Sequence, residues 1–275
     1  LWISGLIFVV ILIPAVFSRE HPSSLVDRKK ERAKVPLLTS MKETLSNWPF
    51  LNMALVTIVS LLGLMMVGSL GYYITVYHMF GGDKGVASGA VLTAVGYAIP
   101  IATMISIPLL NMLSRKIGKR STMLIAFGIA TVGTLLAWPC YSPVYPYLSI
   151  LPAVLLGTGS AAAYVFVNAM LPDAVDLDEL KTGERREGMF SAVYSWMFKI
   201  GAAIAPMVGG YVLRGTGFDA ELAVQQPGTI FWMRVCFTVI PALSLTAAMA
   251  LVLSYPITEK RSYEIRKELE VRRSA

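Results

Sequence analysis

Charge is missing from long tracts of this chain, and that constrains its fold more than any other feature. Residues 1–18, 49–82, 85–114, 121–172 and 235–258 contain no Asp, Glu, Lys or Arg, and residues 188–213 contain only Lys199. A helix needs about 20 apolar residues to cross a bilayer core. Each tract therefore suits one crossing, and 121–172 suits two, with Pro139-Cys140-Tyr141-Ser142-Pro143-Val144-Tyr145-Pro146 as the turn between them. Seven spans are expected. They are expected to be helices, because barrel strands are about ten residues long and half polar. Composition agrees: 55% of the 275 residues are hydrophobic and 15% charged, where a soluble domain carries about a quarter charged.

Chain order makes successive spans alternate in direction, which sorts the connections into two sets. Of the 24 Lys and Arg, 20 fall in residues 19–48, 115–120, 173–187 and the tail after Pro256, and only Lys84, Arg214 and Arg234 fall in the other set. Positive charge marks the cytoplasmic side, so the first set and the C-terminus are expected there. Basic loops facing an anionic leaflet explain the net charge of +7 without nucleic acid. Residues 1–17 lack a basic leader and a cleavage site, so they are expected to be a membrane helix entered partway along, with chain continuing upstream. Residues 37–45 are expected to form a short surface helix. The tail 258–275, with Ile265, Leu269 and Val271 among alternating charges, reads as a solvated helix near the lipid headgroups.

Lys199 is the most informative residue. It lies deep in a span, where a lipid-facing charge costs several kcal/mol. Its neighbours at four-residue spacing, Ser191, Ser195 and Ala203, are small or polar and suit a water-filled cavity. Two further stripes are Ser69, Tyr73 and Tyr77, with Tyr72 beside them, and Ser160, Tyr164 and Asn168. Tyrosine offers a sugar ring a flat face and a hydroxyl, but such stripes also serve helix–helix packing. Asp173, Asp176, Asp178 and Glu179, followed by Lys181, Arg185, Arg186 and Glu187, read as either a solvated loop or a gate of carboxylates and guanidiniums. Arg234 and Thr238 are expected to anchor an outer helix end. Both histidines are isolated and no catalytic or metal-binding spacing occurs, so an enzyme is not expected. No disulfide is expected between Cys140 and Cys236.

The stretch Met170-Leu171-Pro172-Asp173-Ala174-Val175-Asp176-Leu177-Asp178-Glu179, continued by Thr182-Gly183-Glu184-Arg185-Arg186-Glu187-Gly188 and Lys199-Ile200-Gly201, resembles the glycoside–pentoside–hexuronide:cation symporters of the major facilitator superfamily. Tyr72-Tyr73 is also similar to that family's pattern. Asn111-Met112-Leu113-Ser114-Arg115-Lys116-Ile117-Gly118-Lys119-Arg120 resembles the superfamily's short basic loop. It departs at Arg115, where Asp is usual, and at Asn111, where Gly is usual, which puts the loop's usual locking role in doubt.

The resemblance implies an all-α integral membrane protein with two six-helix bundles around a central cavity. Residues 1–18 would be the remnant of helix six, 19–47 the central cytoplasmic linker, 48–256 the C-terminal bundle and 257–275 the cytoplasmic tail. It implies cation-coupled symport of a sugar or glycoside by alternating access, in the cell membrane. Lys199 would lie near the cation and sugar sites. Ser195 and Tyr164 would face the sugar; Tyr72, Tyr73 and Asn168, from the stripes above, are further candidates for substrate binding. Asp173, Asp176, Glu179 and Arg185 would close the inner gate. No cofactor is implied beyond a coupling Na⁺ or H⁺, whose carboxylates belong to an N-terminal bundle that would be the chain's own partner alongside membrane lipid. The alternatives are a lysophospholipid or other amphiphile carrier of the same fold, and a non-transporting membrane sensor.

Overall fold

The computed structural model describes residues 37–87 and 89–274. The expected span over 1–18, and most of the linker, lie outside them. Among the described residues there are eight long helices: α1 (Leu37–Ser46), α2 (Trp48–Tyr73), α3 (Ala90–Ile117), α4 (Lys119–Cys140), α5 (Ile150–Thr182), α6 (Glu187–Gly215), α7 (Pro227–Leu253) and α8 (Glu259–Ser274). The helix of α2 continues in π geometry through Ile74–Met79, and one turn of helix, Lys84–Ala87, precedes α3. Six of these helices, α2 to α7, are long and apolar enough to cross a membrane.

Element boundaries follow local chemistry. Asn47 caps α2, its Oδ1 accepting from the Phe50 amide at 3.3 Å, and Pro49 occupies a first-turn position where its missing N–H costs nothing. Gly118, with φ of 82°, makes the tight joint between α3 and α4, and Gly183, at 74°, ends α5 in the left-handed conformation. The Pro139–Pro146 segment ends α4 and begins a 3₁₀ turn, Pro146–Ser149, that leads into α5.

Two boundaries differ from expectation. The last span starts at Pro227 rather than beyond Arg234. The Arg234 guanidinium is accommodated inside the helix because it lies 4.4 Å from the Trp138 ring centroid and donates to the Trp138 carbonyl at 2.6 Å. The acidic stretch after Pro172 is not a loop: α5 continues through it to Thr182. Asp173, Asp176 and Leu180 fall on one face of that extension.

Four helices close a ring of contacts, α2 against α5, α5 against α4, α4 against α7 and α7 against α2, with α3 packed on α5 and α6 on α2. Lipid tails are as apolar as side chains, so helix association relies on close packing at small residues. Gly157 and Gly159, two residues apart on α5, point to different sides of the helix. A Cβ at Gly157 would lie 2.6 Å from the Ala102 Cβ on α3, and one at Gly159 would lie 2.4 Å from the Ala130 Cβ on α4. Beside Gly157, the Thr103 hydroxyl donates to its carbonyl at 3.1 Å, and Ser106 and Thr158 share a hydrogen bond of 3.1 Å.

The end helices α3 and α6 are the least enclosed of the six. Each leaves a broad face open: Tyr97, Ile101, Met104 and Leu109 on α3, and Trp196, Met207 and Tyr211 on α6.

Gly159→Ala is expected to destabilise the purified protein by about 1–3 kcal/mol through overpacking, seen as a lower midpoint of thermal unfolding in detergent. Gly228→Ala, where a Cβ meets nothing within 4 Å, is the control. An unchanged midpoint for Gly159→Ala would mean that α4 and α5 separate without cost.

Candidate functional site

Lys199 lies twelve residues into α6, about 18 Å along the helix from its first residue. It is exposed, as are Ser191, Ser195 and Ala203, so the stripe read from sequence forms a continuous open strip on α6. No hydrogen bond or ion pair links Lys199 to another described residue. The Ser195 hydroxyl donates to the Ser191 carbonyl at 2.8 Å, which leaves its oxygen able to accept. Apolar surface flanks the amine: Trp196 is 70% exposed and Ile200 36%.

Tyr164 and Asn168 on α5 belong to the same region. The Tyr164 ring, 41% exposed, packs against Phe198 with centroids 6.1 Å apart. Asn168 is exposed one turn further along, its Nδ2 donating back to the Tyr164 carbonyl at 2.6 Å. The fold thus gathers Lys199, Ser195, Tyr164 and Asn168 on adjoining surfaces of α5 and α6.

Tyr72 and Tyr73 lie elsewhere. α2 and α6 run parallel, with Gly201 against Ile58 and Gly209 against Ser69. Tyr73 is therefore level with a point four residues beyond Gly209, about 20 Å along α6 from Lys199. Tyr73 and Tyr77 both pack edge-on against Phe218, with centroids 5.1 Å away, and Tyr72 packs on Tyr73 at 5.5 Å. Tyr77 is buried and Ser69 sits in the α2–α6 contact. That stripe serves packing along most of its length, and only Tyr72 opens to the surface.

At the basic end of the bundle the charged residues are joined into a network. Asp173, 5% exposed, accepts from Lys119 Nζ at 3.1 Å, Ser262 Oγ at 2.7 Å and Arg266 Nη2 at 2.7 Å. Arg266 also approaches Asp176 at 3.6 Å. Arg185 meets Glu179 at 3.1 Å, Glu187 at 2.9 Å and Asp176 at 3.9 Å. Its hydrogen bond to Glu187 raises the guanidinium's pKa further, against some lowering by burial. Arg186 grips Asp178 through Nε and Nη2 at 3.1 and 2.9 Å, and also pairs with Glu43 of α1. Asn47, the α2 cap, donates to Asp178 at 3.2 Å. Burial, and secondarily Asp173, raise the Tyr255 phenol's pKa; it keeps its proton and donates to the Met170 carbonyl at 3.3 Å.

Two features of this network depart from the sequence reading. The tail is not merely a solvated helix: α8 docks along the α5 extension, with Ile265 and Leu269 buried and Arg272 donating to the Leu180 carbonyl at 2.9 Å. Val271 alone of the three aliphatics is exposed. Asp173 does not meet Arg185; its partners are Lys119, Ser262 and Arg266, which sequence reasoning did not single out. The available signal was the four-residue spacing of Ser262 and Arg266, which matches one face of a helix to Asp173 and Asp176 on another.

The family model for MFS/sugar transport proteins matches residues 1–259. An uncharacterized symporter of Synechocystis sp. is 30% identical over 86% of this chain and 43% of its own length. An isoprimeverose transporter of Lactiplantibacillus pentosus is 28% identical over 78% of this chain and 45% of its own. A more distant relative, a sphingosine-1-phosphate transporter of Xenopus tropicalis, is 25% identical over 97% of this chain and 49% of its own. The chain belongs to the MFS/sugar transport family, the glycoside–pentoside–hexuronide:cation symporter group of the major facilitator superfamily. It is an all-α, multi-pass membrane protein of a transporter family, not an enzyme. It spans about half the length of the curated relatives it matches.

Asp173→Asn is expected to loosen α8 from α5, because the carboxylate charge that holds Lys119 and Arg266 is gone. Amide hydrogen exchange across α8 should accelerate about tenfold, with the buried centres of α2 and α7 unchanged. Unaltered exchange in α8 would show that Ile265 and Leu269 alone hold the tail.

Proposed function

We propose that this chain is the C-terminal half of a cation-coupled symporter that moves a sugar or glycoside by alternating access. Residues 48–256 would be the second six-helix bundle, with 1–18 contributing helix six of the first, 19–47 the central linker and 257–275 a cytoplasmic tail. The protein would sit in the cell membrane with its C-terminus inside, as the distribution of Lys and Arg favours.

One observation carries the reading. An ammonium without a partner among the described residues stands on an open helix face deep in a membrane span, beside an exposed tyrosine and an accepting hydroxyl. A permanent lipid-facing charge at that depth costs on the order of 3 kcal/mol. A position where Lys199 meets a coupling carboxylate or a polar substrate removes that cost. Ser195 and Asn168 would hydrogen-bond sugar hydroxyls, and Tyr164 would stack on the ring. Tyr72 and Tyr73 would meet cargo only at a separate, outer position, because a single sugar ring cannot reach both them and Lys199. The coupling ion would be Na⁺ or H⁺. Its binding, with substrate, would shift the population between outward-open and inward-open states. The network of Asp173, Asp176, Glu179 and Arg185 would help hold the inner side closed.

A second reading, an amphiphile carrier, draws on the exposed Trp196 and Ile200 beside Lys199 and on the sphingosine-1-phosphate relative. Apolar walls around a cation suit a charged headgroup with an acyl chain. The tyrosine and the hydroxyl favour the sugar.

The test is uptake of a panel of labelled glycosides by the full-length transporter in membrane vesicles, with imposed Na⁺ or H⁺ gradients. Accumulation of one glycoside under one gradient is expected, and Lys199→Ala should abolish it. Concentrative uptake at the parental level by Lys199→Ala would remove this residue from the mechanism. No glycoside uptake under either gradient would favour the amphiphile reading.

A further inference from the structure

A cavity of about 550 Å³ opens where α8 crosses the ends of α4, α5 and α7. That volume is within the range of about 300–1,000 Å³ typical of small-molecule sites. Lys119, Arg120 and Arg266 line it, with Asp173 and Glu259 as the opposing carboxylates, so it carries an excess of positive charge. The carboxylates are already engaged. Asp173 holds Lys119, Ser262 and Arg266, while the Glu259 Oε2 accepts the Lys119 amide at 3.2 Å. Arg120 is less committed: one of its five donors meets the Leu253 carbonyl. Ser121 presents an exposed hydroxyl at the rim.

The floor and surroundings are apolar. Leu124, Met170 and Ile257 lie inside, and Ile117 and Leu253 are exposed at the mouth. From Ser121 an exposed strip runs along α4 through Ile125, Val132 and Leu135 at helical spacing. From Leu253 a second runs along α7 through Leu243 and Val239. α4 and α7 pack together, so the two strips converge on the cavity. A net-basic recess with an apolar floor, at the end of two exposed apolar tracks, matches an amphiphile whose head is an anion.

We propose that this cavity binds the phosphate of an anionic phospholipid, with Arg120, Ser121 and Arg266 on the headgroup and the acyl chains along α4 and α7. Basic recesses between membrane helices are suited to anionic headgroups. The occupant sits away from the Lys199 site, and its contacts would strengthen the junction of α4, α7 and α8.

The experiment measures thermal unfolding of the purified protein in dodecyl maltoside micelles doped with phosphatidylglycerol or with phosphatidylcholine. Phosphatidylglycerol is expected to raise the midpoint by about 5 °C, and phosphatidylcholine to leave it unchanged. Ser121→Asp is the decisive variant. An acidic side chain in the first turn of α4 favours the helix, so stability in neutral micelles should match or exceed the parent, while the response to phosphatidylglycerol is lost. Lys267→Ala, on an exposed residue of α8 outside the cavity, should keep the response. If Ser121→Asp does not fold, Arg120→Gln measured the same way should lose the response. A full response in the variant, or equal losses from Lys267→Ala and Ser121→Asp, would overturn the proposal. So would an equal rise from phosphatidylcholine. The same rise from glycerol 3-phosphate alone would reassign the cavity to a soluble phosphate ester.

Discussion

A carboxylate that is 5% exposed at the end of a membrane helix cannot stand alone. Removing it from water costs several kcal/mol, recovered only if charge and hydrogen bonds replace the lost hydration. Asp173 obtains that replacement from two separate segments: Lys119 at the start of α4, and Ser262 and Arg266 on α8. The requirements of one side chain therefore bring three parts of the chain together. Neighbouring contacts build on that arrangement. Glu259 reaches the Lys119 amide because α8 is docked, Arg120 reaches the end of α7, and Tyr255 reaches the Met170 carbonyl.

The bundle is held by two kinds of interaction with different consequences for movement. Within the apolar region, glycines let α5 meet α3 and α4 at backbone distance, and no charge is involved. Such contacts are dense, and poorly suited to partial separation. Around the buried Asp173, the basic end also holds ion pairs between groups that remain exposed, such as Arg185 with Glu187. Exposed pairs contribute little net stability and exchange partners cheaply. Arg185 already addresses three carboxylates and Arg266 two. A network of that kind tolerates rearrangement while the helices beneath it stay packed.

The helices within the described residues were legible because their physics is one-dimensional. A charge-free tract longer than a bilayer is thick must satisfy its own backbone, and a proline-rich octapeptide must interrupt it. Sequence and structure part where a charged residue lies inside a helix rather than at its boundary. Arg234 sits within α7 because Trp138, distant in sequence, supplies a ring face and a carbonyl. The acids after Pro172 are helical because Lys119, Arg186 and Arg266 neutralise them. Neither partner set can be inferred from local composition. The candidate site shows the same division. Helical spacing predicted correctly that Ser191, Ser195 and Lys199 share a face. It gave no depth along the bundle, so Tyr72 and Tyr73 were grouped with a lysine about 20 Å away.

Lys199 stands apart from the other charged groups of the bundle interior. At the basic end, Asp173, Asp176, Asp178 and Glu179 all have cationic partners within 4 Å. Even Arg234, inside α7, has an aromatic face and a carbonyl. Lys199 has neither among the described residues, although its depth makes solitude costly. Among the described residues Lys199 is thus a deep charge left open, and it lies on the face that the proposed function assigns to the cavity. A counter-charge that arrives and leaves would then bind with a free energy that includes relief of this isolation. Differential relief between two conformations is what a ligand needs in order to shift their populations. On the proposed reading, the open lysine is the point at which binding energy becomes conformational bias, and the exchangeable ion pairs at the basic end are where that bias acts.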